Sequence, residues 1–198
     1  MMEKHTLGLA LPTDPRWVDI AQKNIEEILV DHAYCEQKAA SSCISLIIQY
    51  PEKELLVDRL TPVVAEEWSH FERVVAELKK RGLNLGPQRK DEYVEQLLRF
   101  LKKGGSRDQQ LIEKLLMNAL IEARSCERFR VLSKEIKDNN LRRFYYELMI
   151  SEAGHYRIFI TLAKEYENKH KVMERWSEWL AGEAEIVKNL GLRADRIH

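Results

Sequence analysis

The sequence has few of the residues that break helices or cross-link chains. Its 198 residues include only 8 glycines, 5 prolines and 3 cysteines. Sheet proteins with many turns and disordered chains are usually richer in glycine and proline, so this scarcity favours long helices. Three cysteines cannot all pair and none forms a C-x-x-C motif, which predicts reduced thiols in a cytoplasmic protein.

Long apolar runs and an excess of charge of one sign are also missing. No run approaches the ~20 apolar residues that span a bilayer, and residues 1–11 do not resemble a signal peptide. We therefore expect no membrane partner. The 32 acidic residues balance the 32 basic ones. A neutral total neither indicates nor excludes a nucleic-acid partner, because a local basic patch can still bind phosphates.

What the sequence does contain is a series of helical apolar patterns, with no convincing strand. We predict one all-α domain over residues 1–198, with an extended lead-in over 1–15 and a tail over 190–198. Pro62 either kinks the second long helix or separates two helical pieces. Four long helices are predicted, with a short one between the second and third and another at the end: about 16–49, 52–81, 91–103, 107–137, 140–168 and 170–189.

Two Glu-x-x-His motifs lie in apolar stripes of the second and fourth long helices. They are Glu67-Trp-Ser-His70 and Glu152-Ala-Gly-His155. Residues three apart share a helix face, so each motif directs one carboxylate and one imidazole to the same side. A single such motif is usually a solvated pair or a core histidine. Burying both groups is costly unless something neutralises them, and a metal ion is the simplest candidate.

The two halves of the chain repeat this arrangement. Glu36-Gln-Lys-Ala-Ala in the first long helix corresponds to Glu122-Ala-Arg-Ser-Cys in the third. The Glu-x-x-His motif begins 31 residues after the first of these glutamates and 30 residues after the second. Each half is therefore predicted to be a helical hairpin with the same three polar groups. Periodicity alone does not separate Glu122 from Glu127, and the duplication favours Glu122.

Together these groups predict a dinuclear metal site. One glutamate from each of two helices plus Glu-x-x-His from each of two others is the pattern of di-iron and di-manganese carboxylate bundles. Four carboxylates balance two divalent ions, and this ligation suits iron or manganese better than zinc or calcium. His32, one turn before Glu36, is expected to orient that ligand. The predicted ligands are Glu36, Glu67, His70, Glu122, Glu152 and His155.

The segments around these ligands resemble a bacterial family, the tRNA 2-methylthio-isopentenyl-adenosine hydroxylases (MiaE). The resemblance also includes LPTDPRW near the start and RWSEWLAGEAE (175–185), so it covers nearly the whole chain. Rubrerythrins and ferritins share the ligand pattern but not these segments. The segments at the ligands are DHAYCEQKAA (31–40), EEWSHFE (66–72), ALIEARSCERF (119–129) and SEAGHY (151–156).

The resemblance implies a ferritin-like four-helix bundle with a short inserted helix and an additional C-terminal helix. It also implies a monooxygenase that hydroxylates the isopentenyl side chain of the modified adenosine at position 37, and it places the family's metal ligands on the six residues above. The expected cofactors are two iron ions, with dioxygen and two external electrons. The expected partners are the tRNA anticodon stem-loop and an electron-donor protein or reductase, and the oligomeric state is left open.

A neutral protein that binds RNA needs a local group of cations. Basic residues cluster near the loops that flank the predicted short helix, and we predict that this end receives the phosphates while the prenyl chain enters the apolar core. The alternative is that they are ordinary solvated helix ends. The candidates are Lys79, Lys80, Arg81, Arg89, Lys90, Lys102 and Lys103.

Three other functions fit parts of this pattern. One is a di-iron oxidase or oxygenase that acts on a small molecule such as an aldehyde or amine. Another is iron storage or peroxide scavenging, against which stands the absence of the C-x-x-C pairs of a rubredoxin-like electron-transfer site. The third is a metal-free structural bundle.

Overall fold

A computed structural model describes the backbone of residues 6–198 and the side chains of residues 7–198. Within this range the chain forms seven α-helices and one 3-10 turn, and no strand. No helix in it is long and apolar enough to cross a membrane. The helices are α1 (Arg16–Lys23), α2 (Ile25–Gln49), α3 (Glu54–Lys80), α4 (Glu92–Phe100), α5 (Arg107–Glu135), α6 (Asn139–Tyr166) and α7 (Lys169–Leu190).

The first predicted long helix is two helices, so the prediction of one helix over 16–49 was wrong. Asn24 separates α1 from α2 with φ −126° and ψ 34°, which is not helical. Its side chain donates a hydrogen bond to the carbonyl of Ile20 at 2.9 Å. Asparagine offers the backbone this kind of local alternative to the helix. The apolar pattern continues across the break and therefore does not reveal it.

The remaining helices begin and end within three residues of their predicted bounds. α3 continues through Pro62 as one helix, so the alternative of two separate pieces does not hold. Short polar side chains begin the later helices: Ser106 forms a capping box with Gln109, and Asp91 accepts from the amide of Val94. These caps fix the residues at which α4 and α5 begin.

The predicted lead-in is less extended than expected, and the predicted tail is ordered. Residues 6–8 form a 3-10 turn, while residues 1–5 lie outside the described residues. Residue 190 belongs to α7, and the tail begins at Gly191. The tail is ordered by docking, because Ile197 is fully buried and its amide donates to Asp31 Oδ2 at 2.8 Å.

The chain divides into two compact units. We call one the α2–α3 unit, which comprises residues 20–90 and 194–197. We call the other the α4–α7 unit, which comprises residues 91–193 and 198 with the described part of 1–19. Each unit contains one of the two hairpins predicted from the duplication, α2 with α3 and α5 with α6.

The α2–α3 unit is held by an apolar seam between its two helices. The seam residues recur three or four positions apart, which is the spacing that keeps them on one helix face. Each fully buried aliphatic side chain contributes about 1.5–3 kcal/mol relative to an exposed one. Fully buried members of the seam are Ile28, Leu29, Leu56, Leu60, Val74 and Leu78.

The α4–α7 unit adds a buried polar network to its apolar core. The fully buried Arg124 of α5 lies 2.7 Å from Glu127 and donates two hydrogen bonds to Glu183 of α7, at 2.7 and 2.9 Å. It also donates to the carbonyl of Leu11 at 2.9 Å, and Glu127 accepts from the amide of Thr13 at 2.7 Å. Because buried charges are stable only when paired, this network fixes the lead-in and α7 on α5.

Candidate metal centre

The first group of predicted ligands lies within the α2–α3 unit. Glu36 projects from α2, and Glu67 and His70 from α3, so the hairpin packing brings the three together. One ligand atom from each lies within 4.8 Å of those of the other two. His70 Nδ1 is 3.5 Å from a carboxylate oxygen of Glu36 and 3.5 Å from one of Glu67. All three side chains are buried.

The charges in this group depend on one another. Burial lowers the pKa of His70, but its hydrogen bonds with Glu36 and Glu67 outweigh burial and raise the pKa to about 9. Burial raises the pKa of Glu36, but hydrogen bonds from His32 and His70 outweigh it and hold the pKa well below its usual range. The two carboxylates therefore require positive charge beside them, which an imidazolium supplies in part and a divalent cation would supply fully.

His32 acts on this group through Glu36. Its Nε2 lies 2.6 Å from Glu36 Oε1, and its side chain is completely buried. When an imidazole N–H donates to one oxygen of a carboxylate, the second oxygen points away from that imidazole. That oxygen, Oε2, is the one that faces His70. The position agrees with the expectation that His32 orients Glu36.

The second group of predicted ligands lies within the α4–α7 unit. Glu122 projects from α5, and Glu152 and His155 from α6. One ligand atom from each lies within 4.8 Å of those of the other two, and all three side chains are buried. The structure thus places Glu122, and not Glu127, beside the second Glu-x-x-His motif. Glu127 instead belongs to the network of Arg124 and Thr13.

Each hairpin therefore carries the same buried donor set of two carboxylates and one imidazole. Such a set is costly to bury without a cation. Carboxylate oxygens with a single imidazole are the donors preferred by iron and manganese rather than zinc, which prefers more nitrogen or sulfur. The chemistry of each group consequently fits one divalent transition-metal ion.

The basic residues predicted to contact RNA differ in their solvent exposure and in their ion pairs. All five lysines among them are exposed, while Arg81 and Arg89 are half-buried. Arg89 pairs with Glu27 and donates to the carbonyl of Asp195 at 3.0 Å. Arg81 pairs with Glu77 at 2.7 Å. The two arginines thus have contacts inside the α2–α3 unit. The exposed residues are Lys79, Lys80, Lys90, Lys102 and Lys103, of which Lys80 pairs with Glu77 at 2.6 Å and Lys102 with Glu178 at 2.9 Å.

Comparison with known proteins gives a family match over the entire chain. The family model described as tRNA-(MS[2]IO[6]A)-hydroxylase (MiaE) matches residues 1–198. A Pseudomonas putida protein named tRNA 2-(methylsulfanyl)-N(6)-isopentenyladenosine(37) hydroxylase is 35% identical over 181 residues, which cover 91% of this chain and 87% of that protein. A Salmonella typhimurium protein of the same name is 27% identical, with 79% of this chain and 75% of that protein covered.

A solved structure matches as well. It is described as Protein 43 with aldehyde deformylating oxygenase activity from Synechococcus, and it is 34% identical with a TM-score of 0.90. The match covers 96% of this chain and 94% of that chain. With the helix order above, it confirms the predicted fold class, a ferritin-like four-helix bundle with a short inserted helix and an additional C-terminal helix.

Proposed function

Because this chain belongs to the MiaE family of tRNA hydroxylases, we propose that it is a di-iron monooxygenase acting on tRNA. Its substrate is the isopentenyl side chain of 2-methylthio-isopentenyl-adenosine at position 37. The observation that carries the proposal is that both hairpins bear the same buried Glu, Glu and His donors, in a chain that matches the family from end to end.

The metal site is proposed to use all six donors in one catalytic domain over residues 1–198. Two ligand groups that each suit one ion, contributed by the four long helices, are the known arrangement of a dinuclear carboxylate bundle. With four carboxylates and two divalent ions the donors and cations balance in charge. The proposed ligands are Glu36, Glu67, His70, Glu122, Glu152 and His155.

The protein's own residues have defined roles around this centre. When bound, the two irons supply the chemistry that activates dioxygen. His32 holds one oxygen of Glu36 and so fixes the orientation of that ligand. Leu148 and Phe159 lie one turn before Glu152 and one turn after His155 on α6, and both are fully buried, so they exclude water from that side of the ligands.

The reaction requires electrons from outside the chain. Hydroxylation inserts one oxygen atom of dioxygen into a C–H bond and reduces the other to water, which consumes two electrons and two protons. The cysteines offer no C-x-x-C pair that would bind a rubredoxin-like iron. We therefore propose an electron-donor protein or reductase as a partner.

The tRNA is proposed to contact the protein through its exposed basic residues. Phosphate contacts with lysine and arginine supply most of the non-specific affinity for nucleic acids. The exposed lysines at 79, 80, 90, 102 and 103 are the best candidates, since Arg81 and Arg89 are half-buried. A tRNA substrate also agrees with the predicted cytoplasmic location.

The proposal is tested by reconstitution. The iron-loaded, chemically reduced protein is incubated with prenylated tRNA and oxygen, and the nucleosides are examined by mass spectrometry. We expect the modified adenosine to gain one oxygen atom, and no gain in protein stripped of metal or in reactions without oxygen. An iron-loaded protein that leaves the nucleoside unchanged over many equivalents of reductant would contradict the proposal.

A second candidate is an oxygenase that acts on a small molecule. The 34% identity to a Synechococcus protein described as having aldehyde deformylating oxygenase activity favours it. The same reconstituted protein is therefore offered an aldehyde in place of tRNA. Turnover of the aldehyde with no change in tRNA nucleosides would support this candidate over the tRNA hydroxylase.

A further inference from the structure

A pocket in the α4–α7 unit has none of the predicted ligands in its lining. It has a volume of about 510 Å³ and is bounded by the lead-in residues 11–16 on one side and the C-terminal end of α7 on the other. Its charged lining consists of Arg16, Arg128 and Lys188, with Asp14 as the one acid. The apolar lining residues are Leu11, Pro12, Pro15, Val187 and Leu192.

Arg128 is the unusual member of this lining. It projects from α5, only 6% of the residue is exposed, and its guanidinium lies 4.2 Å from the centre of the Trp17 ring. The Nε and Nη1 atoms are buried and make no hydrogen bond within the part of the chain that the structure describes. A planar cation is thus held against an aromatic face with buried donors that lack an acceptor.

The carboxylates nearest in sequence and space are already engaged by another arginine. Glu127 and Glu183 both pair with Arg124, one turn before Arg128 on α5. Burial, and then the charge of Arg124, lower the pKa of Arg128 to about 9. The carboxylates of this network therefore offset the cost of the buried cation only in part.

The acid in the pocket is also compensated. Asp14 accepts three hydrogen bonds from the guanidinium of Arg16, the shortest at 2.6 Å, and a fourth from the Arg16 amide at 2.9 Å. These hydrogen bonds lower the pKa of Asp14 to about 2. With Asp14 and Arg16 paired, the lining has a net positive charge from Arg128 and Lys188. Lys188 is exposed and 4.0 Å from Glu185.

We propose that this pocket binds a phosphate group, with Arg128 as the buried donor and Lys188 at the rim. A guanidinium presents several donors in one plane and matches the oxygens of a phosphate better than a lysine does. Phosphate contacts of this kind position a nucleic acid without reading its sequence. The site is distinct from the exposed lysines predicted from the sequence.

The phosphate has two possible sources, the RNA backbone and a free phosphate. The first rests on the proposed function, which makes tRNA the substrate. The second does not depend on it. The experiment therefore uses inorganic phosphate in one arm and tRNA lacking the prenyl group in the other, so that neither readout depends on hydroxylation.

The first arm measures thermal unfolding in phosphate against chloride at equal ionic strength. A ligand that binds only the folded protein raises its melting temperature. We expect a rise for the parent and for R143M, which removes an exposed arginine of α6, and no specific rise for R128M. The methionine retains the apolar volume and removes the buried charge, so R128M is expected to fold with at least the parent's stability. Should R128M fail to fold, K188M tests the same site at its rim and is expected to weaken the response.

The second arm measures the affinity for unprenylated tRNA against salt concentration. Loss of one phosphate contact lowers the slope of log affinity against log salt by about 0.7–0.9. We expect that decrease, with about tenfold weaker binding in low salt, for R128M and not for R143M. A phosphate response with an unchanged slope would support a free phosphate as the ligand. A parent protein that responds equally to phosphate and chloride, with the same tRNA slope as R128M, would overturn the proposal.

Discussion

His32 Nε2 lies 2.6 Å from Glu36 Oε1, one helical turn away on α2, and both side chains are buried. The imidazole therefore fixes one oxygen of a proposed metal ligand and leaves the other, Oε2, facing His70. Groups that hold a ligand in this way commonly matter to metal affinity nearly as much as the ligand itself.

We predict that H32F lowers iron affinity by about 10–100-fold while leaving the helical content unchanged. The phenyl ring fills the same apolar space but cannot donate to Glu36. Iron binding is measured by competition with a chelator, and H170F, which alters an exposed histidine of α7, serves as the control. Equal iron affinity in H32F and H170F would show that His32 is only a packing residue.

Two adjacent glutamates of α3 give a matched test of the proposed ligands. Glu67 is fully buried in the α2–α3 unit, and Glu66 is exposed. We predict that E67Q loses most of its bound iron and at least about 100-fold in hydroxylation rate, because the amide cannot supply the negative charge that a divalent cation requires. E66Q is expected to match the parent in bound iron and in hydroxylation rate. The iron-to-protein ratio and the nucleoside assay measure the difference, and similar behaviour of the two variants would remove Glu67 from the site.

The grouping of the proposed ligands within each hairpin could be predicted from the sequence because its geometry is local. Glu67 and His70 are three residues apart on one helix, so their shared face follows from the helical repeat alone. The partner glutamate of each hairpin was found through the duplication, which supplies the register that periodicity lacks. The separation of Glu122 from Glu127 depended on this register, and the structure places Glu122 with Glu152 and His155.

The features that the sequence did not predict depend on contacts between residues far apart in the chain, or on a hydrogen bond made by one side chain. Ile197 and Asp31 are 166 residues apart, and no periodic pattern connects them. Arg128 lies among the apolar residues of α5, and its exposure to a pocket depends on where the lead-in and α7 pack. The break at Asn24 depends on one side chain that competes with the helix.

The predicted RNA contacts of α3 can be separated from general electrostatics. We predict that K79E/K80E weakens binding of unprenylated tRNA and lowers the salt slope by about 1.4–1.8, since two phosphate contacts are lost. The control is K134E/K137E, which reverses two exposed lysines near the end of α5. Equal effects of the two double variants would mean that only net charge matters, and the α3 lysines would then have no specific role.

The three cysteines should differ in their reactivity. Cys126 is buried and donates to the carbonyl of Met149, and burial, with the nearby charge of Glu122, raises the pKa of its thiol to about 12. At pH 8 only about one thiol in ten thousand is then ionised, and the thiolate is the reactive form. We predict that iodoacetamide labels the half-buried Cys35 first and labels Cys126 only after unfolding. Peptide mapping by mass spectrometry measures the order, and labelling of Cys126 at the rate of Cys35 in the folded protein would contradict it.

Glu122 and Glu127 are both buried on α5 but have different surroundings, so the same substitution should have opposite consequences. Glu127 accepts from Thr13 and pairs with Arg124 at 2.7 Å. E127Q is expected to reduce the free energy of unfolding by about 3 kcal/mol, because a buried arginine loses one of its two carboxylates. E122Q is expected to bind less iron while unfolding at a similar denaturant concentration in the absence of metal. Chemical denaturation and iron stoichiometry are measured on both variants, and a loss of iron binding in E127Q with full stability would reverse the assignment.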